Sequence, residues 1–454
     1  MKKVIFLILF LTFNCSLSAQ CWLQVDANGN FNLGIKQDGT LWAWGYNYTG
    51  QLGDGTTVKK YSPIQIGTDT DWVKVSAGSS FSLAIKSNGT LWAWGENTYG
   101  QLGDGTTTNK LTPVQVGTAT NWSKIIGSGY HCLAIKSDGS LWSWGWNNYG
   151  QLGIGNNTNK SIPTRVGTDN NWVTISSKAV SSAAIKSDGT LWSWGRNDYG
   201  QLGDGTNLSK NAPIQIETSS IWNTVSLEET SMLAIKGDGT LWGCGNNFYG
   251  ELGIGISGGG PYNLTQVGTD TNWQKVYGGA SYAKAIKNDG SMWAWGANGT
   301  RVFGDTTIST SNVPLLISSE SWSYIATGIQ HTINVKNDGT LWVCGQNTDG
   351  QLGTGSTTGN GLTYLTQINC PAGLGISQNS ISNFTLFPNP ANNFISITGE
   401  GSEAINTVEI FDLSGKKILT TNATNINIEN LCNGIYLIQI TVNTKNKHYK
   451  FIKQ

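Results

Sequence analysis

The chain has 454 residues, enough for two or three domains, and its charge is low and balanced, with 28 Lys+Arg against 28 Asp+Glu. A formal net charge of zero excludes the basic surface on which nucleic-acid binding depends, so no nucleic-acid partner is expected. The 20 tryptophans all lie between Trp22 and Trp342, which confines them to one part of the chain.

The beginning of the chain predicts a secretory signal peptide over residues 1–19. Lys2 and Lys3 precede an apolar run, Val4–Phe13, and small residues follow up to Ala19, where cleavage is expected. The run is shorter than the roughly 20 residues that a transmembrane anchor requires. No later stretch could span a membrane as a helix. The mature protein is therefore expected to leave the cytosol for a compartment that permits disulfides.

A fifty-residue repeat fills the next part of the chain. The segment Leu41-Trp42-Ala43-Trp44-Gly45 has further copies, seven in all, which start at Leu91, Leu141, Leu191, Leu241, Met292 and Leu341. A repeat of this length is one supersecondary unit that buries its apolar face against its neighbours.

Each unit predicts four short β-strands. In the second unit these are Trp72–Val75, Phe81–Lys86, Leu91–Trp94 and Pro113–Val116. Asn88-Gly89 predicts a two-residue type I′ hairpin between the second and third strands, and the other six units carry Asp-Gly there. No sustained helical period is present, which excludes helical solenoids. We therefore expect an all-β fold, a seven-bladed β-propeller over residues 20–370, with tryptophans between neighbouring blades.

The repeat also resembles a known family. Its W-x-K-V, A-I-K-x-D-G-x-L-W-x-W-G and N-x-Y-G-Q-L-G patterns are similar to the regulator of chromosome condensation repeat, from Cys21 to Cys370. The resemblance implies a seven-bladed propeller. Two units depart from the pattern: the sixth lacks Y-G-Q-L-G over Gly296–Gly304, and the fifth carries an insertion, Ile256–Tyr262. Both departures are expected to change a loop and not the fold.

After a predicted linker, residues 371–383, residues 384–454 predict a small β-sandwich. Four motifs here resemble the C-terminal sorting domain of the type IX secretion system of Bacteroidota: Leu386–Ala391, Val408–Gly415, Asn433–Tyr436 and Lys450–Lys453. The resemblance implies the type IX machinery as a partner. It also implies passage through the periplasm and the outer membrane, with release or retention on the cell surface. A generic immunoglobulin-like accessory domain is the alternative.

The chemistry-bearing residues predict no catalytic, cofactor or metal site. His131 and His331 occupy equivalent positions in the third and seventh units, far apart in a ring, and no spacing resembles a zinc site. Gly-Asp-Gly-Thr occurs at Asp54, Asp104 and Asp204, where a structural turn is favoured over a calcium loop. No nucleophile has a matching base, so no enzymatic activity is expected.

Seven lysines end the second strands, at Lys36, Lys86, Lys136, Lys186, Lys236, Lys287 and Lys336. A ring of these charges could attract an acidic polymer. The adjacent Asp-Gly carboxylates favour the other interpretation, a solvated strand end.

The cysteines predict one disulfide. Cys21 and Cys370 flank the repeat array and, aligned on the repeat period, fall close together where the last blade must meet the first. A bond between them would close a very long loop. Cys132 is expected in the core, and Cys244 and Cys344 stand where other units have their second tryptophan, as small buried fillers.

The seven copies diverge between their first and second strands, and we expect these loops to gather on one face around the central opening. The candidate ligand-binding residues are Phe31, Phe81, Tyr130, His131, Glu228, Glu229, Tyr282 and His331. The pattern is equally compatible with Phe31 and Phe81 filling the blade core.

These observations predict a secreted or cell-surface binding propeller whose ligand is a protein or a glycan. The resembling family includes nuclear exchange factors for a small GTPase, a partner that secretion would remove. It also includes a secreted inhibitor of β-lactamase, so an inhibitor of a secreted enzyme is the alternative function. A glycan-degrading enzyme that uses Glu228 or Glu229 is a third, less favoured hypothesis.

Overall fold

A computed structural model describes residues 21–305, 307–356, 361–370, 384–399, 405–412, 416–442 and 445–453. In this part of the chain the regular elements are 35 β-strands, and no helix is present that could cross a membrane. The chain divides into two compact units, Met1–Pro371 and Ala372–Gln454. The predicted signal peptide and linker lie outside the described residues.

The first unit consists of seven four-stranded antiparallel sheets, one for each repeat, which confirms the predicted seven-bladed propeller. Blades one and two contain β1 (Trp22–Asn28), β2 (Phe31–Lys36), β3 (Leu41–Gly45), β4 (Lys60–Gln65), β5 (Trp72–Ala77), β6 (Phe81–Lys86), β7 (Leu91–Gly95) and β8 (Lys110–Gln115). Blades three and four contain β9 (Trp122–Gly127), β10 (His131–Lys136), β11 (Leu141–Gly145), β12 (Lys160–Arg165), β13 (Trp172–Lys178), β14 (Ser181–Lys186), β15 (Leu191–Gly195) and β16 (Lys210–Ile216).

The remaining blades follow the same order, with the first strand of each nearest the central axis. Blades five and six contain β17 (Trp222–Leu227), β18 (Ser231–Lys236), β19 (Leu241–Gly245), β20 (Thr265–Gln266), β21 (Trp273–Gly278), β22 (Tyr282–Lys287), β23 (Met292–Ala297) and β24 (Thr310–Ser318). Blade seven contains β25 (Trp322–Thr327), β26 (His331–Lys336), β27 (Leu341–Gly345) and β28 (Leu362–Ile368).

The Asp-Gly hairpin differs from the predicted type. Only the glycine has a positive φ, +77° at Gly39, and Gly39 N–H donates to the Lys36 carbonyl at 2.9 Å. This is a type I turn followed by a left-handed glycine, so the expected type I′ turn is wrong. The Asp38 carboxylate stabilises this type I turn, because it accepts hydrogen bonds from the Thr40 N–H at 3.0 Å and from the Thr40 hydroxyl at 2.6 Å. That hydroxyl in turn accepts from the Trp42 indole at 2.8 Å.

The hydrophobic core lies between blades. One cluster joins Leu33, Leu41 and Ala43 of blade one to Trp72 and Trp94 of blade two, and equivalent clusters follow around the ring. The tryptophans therefore lie between neighbouring blades, as predicted. A sheet that covers both of its neighbours leaves no exposed face for aggregation.

The seven lysines are not solvated strand ends. Each ammonium lies 3.7–5.9 Å from the ring centroids of two tryptophans, one on the first strand and one on the third strand of its own blade. Lys186, for example, lies between Trp172 and Trp192 and pairs with Asp169 at 2.8 Å. Each such cation–π contact contributes about 0.5–2 kcal/mol. The lysines are part of the scaffold, and an open ring of positive charge does not form.

The last blade meets the first through packing and a disulfide. Val25 and Trp44 of blade one share a core cluster with Ile333 and Val343 of blade seven. Cys21 and Cys370 form a disulfide across this seam, with 6.0 Å between their Cα atoms and a sequence separation of 349.

Both departures from the repeat change a loop, as predicted. The insertion in the fifth unit shortens the outer strand to two residues, Thr265–Gln266, and pairs Gly258 with Asn247. In the sixth unit Arg301 takes the left-handed conformation, φ +67°, at the position of Gly50 in blade one. Both blades remain four-stranded.

One lysine is fully buried between blades six and seven. Lys284 occupies the position of Leu233 in blade five and donates to Thr332 Oγ1 and Asn334 Oδ1, both at 3.1 Å. Burial lowers the pKa of the Lys284 amine, and no carboxylate contacts it among the described residues.

The second unit is a β-sandwich. One sheet contains β29 (Phe384–Phe387), β30 (Phe394–Gly399) and β33 (Asn425–Asn427), and the other contains β32 (Lys417–Thr421), β31 (Thr407–Phe411), β34 (Gly434–Val442) and β35 (Lys445–Lys453), in that order. Its core lies between the sheets, where Ile395 and Ile397 meet Val408, Ile410 and Ile438.

Candidate functional site

One end of the propeller carries two sets of connections, and we call this end the loop face. It comprises the turns between first and second strands and the loops between third and fourth strands. The two sets touch in every blade, because the backbone N–H after each third strand donates to a carbonyl of the turn. Trp146 N–H, for example, donates to the Tyr130 carbonyl at 2.9 Å. The two connections of a blade therefore form one local surface.

An asparagine side chain braces each loop. Asn147 Oδ1 accepts from the Leu152 N–H at 2.9 Å, and its Nδ2 donates to the carbonyls of Asn156 and Thr158 at 2.8 and 3.1 Å. This asparagine brace recurs in all seven blades, at Asn47, Asn97, Asn147, Asn197, Asn247, Asn298 and Asn347. A buried side chain with these partners holds the residues on either side of it in a defined place.

The Gly-Asp-Gly-Thr segments belong to the same loops and form structural turns. Asp54 accepts from the Thr56 N–H at 3.0 Å and from Asn47 Nδ2 at 3.1 Å, and pairs with Lys60 at 2.9 Å. These donors hold the pKa of the Asp54 carboxyl below its usual value, against the opposing effect of burial.

Each loop also interacts with the next blade. The Gln51 carbonyl of blade one accepts from the Trp94 indole at 2.9 Å and from the Ser82 hydroxyl at 2.6 Å. Where the second tryptophan is replaced, the thiol of Cys244 or Cys344 approaches the equivalent carbonyl, at 3.9 and 3.2 Å. These two buried cysteines therefore take over both the space and the donor position of an indole.

The two positions that flank the brace vary among the seven copies. Before the asparagine stand Tyr46, Glu96, Trp146, Arg196, Asn246, Ala297 and Gln346. After it stand Tyr48, Thr98, Asn148, Asp198, Phe248, Gly299 and Thr348. These residues are exposed or half-buried, so the scaffold does not determine their identity.

The aromatic members of these loops form a continuous group across blades two to four. Ring centroids are separated by 5.3 Å for Tyr99 and Tyr130, 5.6 Å for Tyr99 and Trp146, and 5.8 Å for Trp146 and Tyr149. The Arg196 guanidinium then lies 5.3 Å from the ring of Tyr149 and 5.7 Å from that of Tyr199.

A second pair of rings continues the group into blade one. Tyr46 and Tyr48 are 4.7 Å apart, and the Lys59 ammonium lies 5.6 and 5.2 Å from their centroids. Two hydrogen bonds connect the loops of blades one and two here, because the Ser80 carbonyl accepts from the Glu96 N–H at 2.9 Å and from the Thr49 hydroxyl at 3.0 Å. We call the seven rings the aromatic arc: Tyr46, Tyr48, Tyr99, Tyr130, Trp146, Tyr149 and Tyr199.

The charges within the arc are neutralised locally. Arg196 Nε pairs with Asp198 at 2.7 Å, and Lys59 pairs with Asp349 of blade seven. The hydrogen bond from Lys59 to Asp349 raises the pKa of the lysine. Partial burial raises the pKa of the Glu96 carboxyl. The arc therefore offers rings and hydrogen-bonding groups with little net charge.

The ligand-binding residues predicted from the sequence are mostly inside the molecule. Six of the eight are buried, which corrects the expectation that they form an exposed face: Phe31, Phe81, His131, Glu228, Tyr282 and His331. Tyr130 is half-buried and belongs to the aromatic arc, and Glu229 is exposed.

The reason is that the rings at the first position of the second strands, such as Phe31 and Phe81, point into the joints between blades. His331 Nε2 lies 2.6 Å from Asn32 Oδ1 of blade one, and His131 Nε2 lies 2.9 Å from Ser182 Oγ of blade four. The Tyr282 hydroxyl of blade six donates to the His331 carbonyl of blade seven at 3.1 Å. Burial lowers the pKa of both His131 and His331 to about 3, so both are neutral.

The Glu228 side chain is also buried and therefore inaccessible to a ligand. Its Oε2 accepts from the Ser231 hydroxyl at 2.6 Å, and burial raises the pKa of its carboxyl well above the usual value. The carboxyl group is therefore part of the interior of the fold.

The central channel is narrow at this end. The first strands line a cavity of about 100 Å³ that includes Asp26, Tyr324 and Lys178. Lys178 Nζ of blade four donates across it to the Thr327 carbonyl of blade seven at 3.2 Å. A ligand larger than a few atoms is therefore too large for this cavity.

A signal for the arc is present in the sequence. The residue before each braced asparagine changes from Tyr to Glu, Trp, Arg, Asn, Ala and Gln, although the asparagine that follows it is constant. Variation beside a constant structural residue indicates an exposed position. The positions around the turn between the first and second strands vary as well, but the side chains of His131 and His331 there pack against partners in the next blade.

Comparisons with known proteins agree with this architecture. The RCC1-like domain model matches residues 13–257, the regulator of chromosome condensation (RCC1) repeat model matches residues 322–351, and the secretion system C-terminal sorting domain model matches residues 385–454. No curated protein sequence matches the chain significantly.

Two solved structures have the same fold. Human WBSCR16 is 20% identical with a TM-score of 0.66, and the match covers 73% of this chain and 94% of that one. Yeast RCC1 (Prp20), in its complex with Kap60, is 16% identical with a TM-score of 0.66, over 78% of this chain and 84% of that one. The chain therefore belongs to the RCC1-like domain family, and it carries a type IX sorting tail that implies its export.

Proposed function

We propose that this protein is an exported binding propeller that holds a protein or glycan ligand on its loop face. The sorting tail supports export to the medium or to the outer cell surface through the type IX machinery. The observation that carries the binding role is the aromatic arc, a group of partly exposed rings. Four of them, Tyr46, Tyr48, Tyr130 and Trp146, stand at positions that vary among the seven copies. Aromatic side chains dominate the energetics of binding surfaces.

Binding is favoured over catalysis by the state of the acidic residues. Glu228 is buried and hydrogen-bonded to Ser231, so it does not face a ligand on the loop face. The carboxylates of Asp198 and Asp349 are each held in an ion pair. A glycosidase needs one protonated and one ionised carboxyl group on either side of a bond. The described loops bring no such pair together.

The test compares the loop face with another surface of the same protein. The secreted full chain is immobilised and exposed to the polysaccharide and protein fractions of its own culture medium. We expect a ligand that the wild type retains and that the double variant Tyr99→Ala/Trp146→Ala loses. Tyr364→Ala is the matched control, because Tyr364 is an exposed tyrosine on the outer strand β28.

Equal retention by the double variant and the control would place the ligand elsewhere and refute the proposal. Turnover of the polysaccharide fraction that is abolished by Glu229→Gln would refute the binding-only role.

A further inference from the structure

The rings of the aromatic arc are exposed to different extents. Tyr48 is 61% exposed and Tyr199 is 43% exposed, while Tyr99, Trp146 and Tyr149 are half-buried and held by one another. The ring planes of Tyr99 and Trp146 are tilted by 33° to each other, with 5.6 Å between their centroids. The face of an aromatic ring carries the negative part of its quadrupole and attracts weakly positive C–H groups.

Hydrogen-bonding groups alternate with these rings along the arc. Glu96 begins the loop that carries Tyr99, and its N–H is bonded to the Ser80 carbonyl at 2.9 Å. The Arg196 guanidinium lies between the rings of Tyr149 and Tyr199, 5.3 and 5.7 Å from their centroids, and is paired with Asp198. Carboxylates and guanidinium groups make strong, directional hydrogen bonds to ligands that offer both donors and acceptors. A matching ligand therefore alternates apolar C–H faces with polar hydroxyl edges along its length.

The charge pattern excludes a strongly charged ligand. The two cations, Lys59 and Arg196, each have a carboxylate partner on the loop face, so neither is left to recruit an anionic polymer. Glu96 is a single carboxyl group that accepts a hydrogen bond from the Thr98 hydroxyl at 3.3 Å. The surface therefore has little net charge to complement, so the ligand it fits is neutral.

A protein partner fits this surface less well. The centre of a protein–protein interface is depleted of charged residues, which lie at its rim. Here ion pairs stand between the rings, from Lys59–Asp349 at one end to Arg196–Asp198 toward the other. Contact with a protein core would desolvate these pairs, at a cost that a hydroxyl-rich ligand avoids by replacing their water.

We propose that the aromatic arc binds a neutral polysaccharide, with pyranose C–H faces stacked on Trp146, Tyr99 and Tyr48 and sugar hydroxyls bonded to Glu96 and Arg196. This inference rests on the proposed binding function and commits it to one ligand class. An elongated chain matches the arc, which runs across four blades from Tyr46 in blade one to Tyr199 in blade four.

The experiment uses the secreted full chain in affinity electrophoresis through gels that contain single polysaccharides. The neutral set is a β-glucan, an α-glucan, a xylan and a mannan, and the charged set is a polyuronate and a sulfated galactan. We expect retardation by at least one neutral polymer, persisting at high ionic strength because no ion pair with the ligand is involved. Trp146→Ala is expected to weaken it about tenfold or more.

Tyr48→Ala provides a second test of the arc in case the Trp146 variant does not fold. The Tyr48 side chain is the more exposed of the two, so its loss should leave the melting temperature unchanged. It is expected to weaken retardation severalfold, while Tyr364→Ala leaves it intact. Circular dichroism before each run establishes that the variants are folded.

Each other outcome has a distinct meaning. Failure of every neutral polysaccharide to retard the wild type overturns the glycan assignment, and if a purified protein then binds through Trp146, the proposed function survives. Retardation only by a charged polymer, lost at high salt, also overturns it. Retardation that both arc variants retain overturns the glycan assignment to the arc and the proposed site together.

Discussion

The indole Nε1 of Trp44 in the first blade donates a hydrogen bond to the Gln351 carbonyl in the last blade, at 3.2 Å and across 307 residues of chain. The same bond joins Trp94 to Gln51 in the next joint, at 2.9 Å. The closing joint is therefore built like the others, and the Cys21–Cys370 disulfide is added to it.

Loss of that disulfide should lower stability without changing the fold. The double variant Cys21→Ser/Cys370→Ser is expected to lose about 3–5 kcal/mol of unfolding free energy, because the bond closes a loop of 349 residues in the unfolded chain. Urea denaturation measures the loss, and Cys432→Ser, at an exposed free cysteine, is the control. Two free thiols at Cys21 and Cys370 in the non-reduced wild type, found by intact mass, would contradict the structure at this point.

The two buried histidines should make the propeller sensitive to acid. Their pKa values fall from 6.5 to about 3 on folding, so the unfolded chain takes up protons below about pH 6.5 while the folded chain does not. Each histidine thereby lowers the unfolding free energy by up to about 1.4 kcal/mol for every pH unit between about 6.5 and 3. His331→Phe, which installs the residue that blade one has at Phe31, should lose less stability between pH 7 and pH 4 than the wild type. Parallel pH profiles for the two proteins would show that His331 is not the cause.

Lys284 should change the stability of the protein at alkaline pH. Burial lowers its pKa from 10.5, so the folded protein releases this proton at a lower pH than the unfolded chain does. Stability should therefore rise toward about pH 10.5, by up to about 1.4 kcal/mol for every pH unit over which only the unfolded chain carries the proton. Lys284→Met removes this dependence, so the difference between variant and wild type should shrink as the pH rises. Urea unfolding at about pH 7, 8.5 and 10 measures it, and a difference independent of pH would argue that Lys284 stays charged.

The asparagine brace should matter for ligand binding only in blades that carry the arc. Asn147→Ala removes three hydrogen bonds and is expected to cost about 2–4 kcal/mol and to weaken binding by displacing Trp146. Asn298→Ala removes an equivalent set in blade six, next to Ala297 and Gly299, and should be similarly destabilising. Its binding, measured beside that of Asn147→Ala, should equal that of the wild type. Equal losses of binding in both variants would indicate a general loosening of the ring.

Much of the fold could be predicted because each local sequence pattern occurs seven times, once in every repeat. The Asp-Gly pairs located the hairpins, and the alternation of Leu91 to Trp94 located a strand, which is buried apart from Trp92. The hairpin type was missed because Asp38 fixes the turn with its side chain, through Thr40, and needs no positive φ of its own.

The candidate site was predicted less well, because a single sequence does not show why a position varies among the seven copies. Residues vary among copies either because they are exposed or because they pack against a partner that varies with them. His131 faces Ser182 and His331 faces Asn32, each partner being in the next blade and far away in sequence. Trp146 varies for the first reason and His331 for the second, and only the folded ring separates the two cases.

The loop that holds each asparagine brace also grips the neighbouring blade, through a carbonyl such as that of Gln51. The residues that maintain the ring and the residues that meet the outside are therefore different members of one short segment. Trp146 or Arg196 can therefore be substituted during evolution without loss of the contacts between the neighbouring blades. The propeller can in this way acquire a new specificity one blade at a time, while its stability is inherited unchanged.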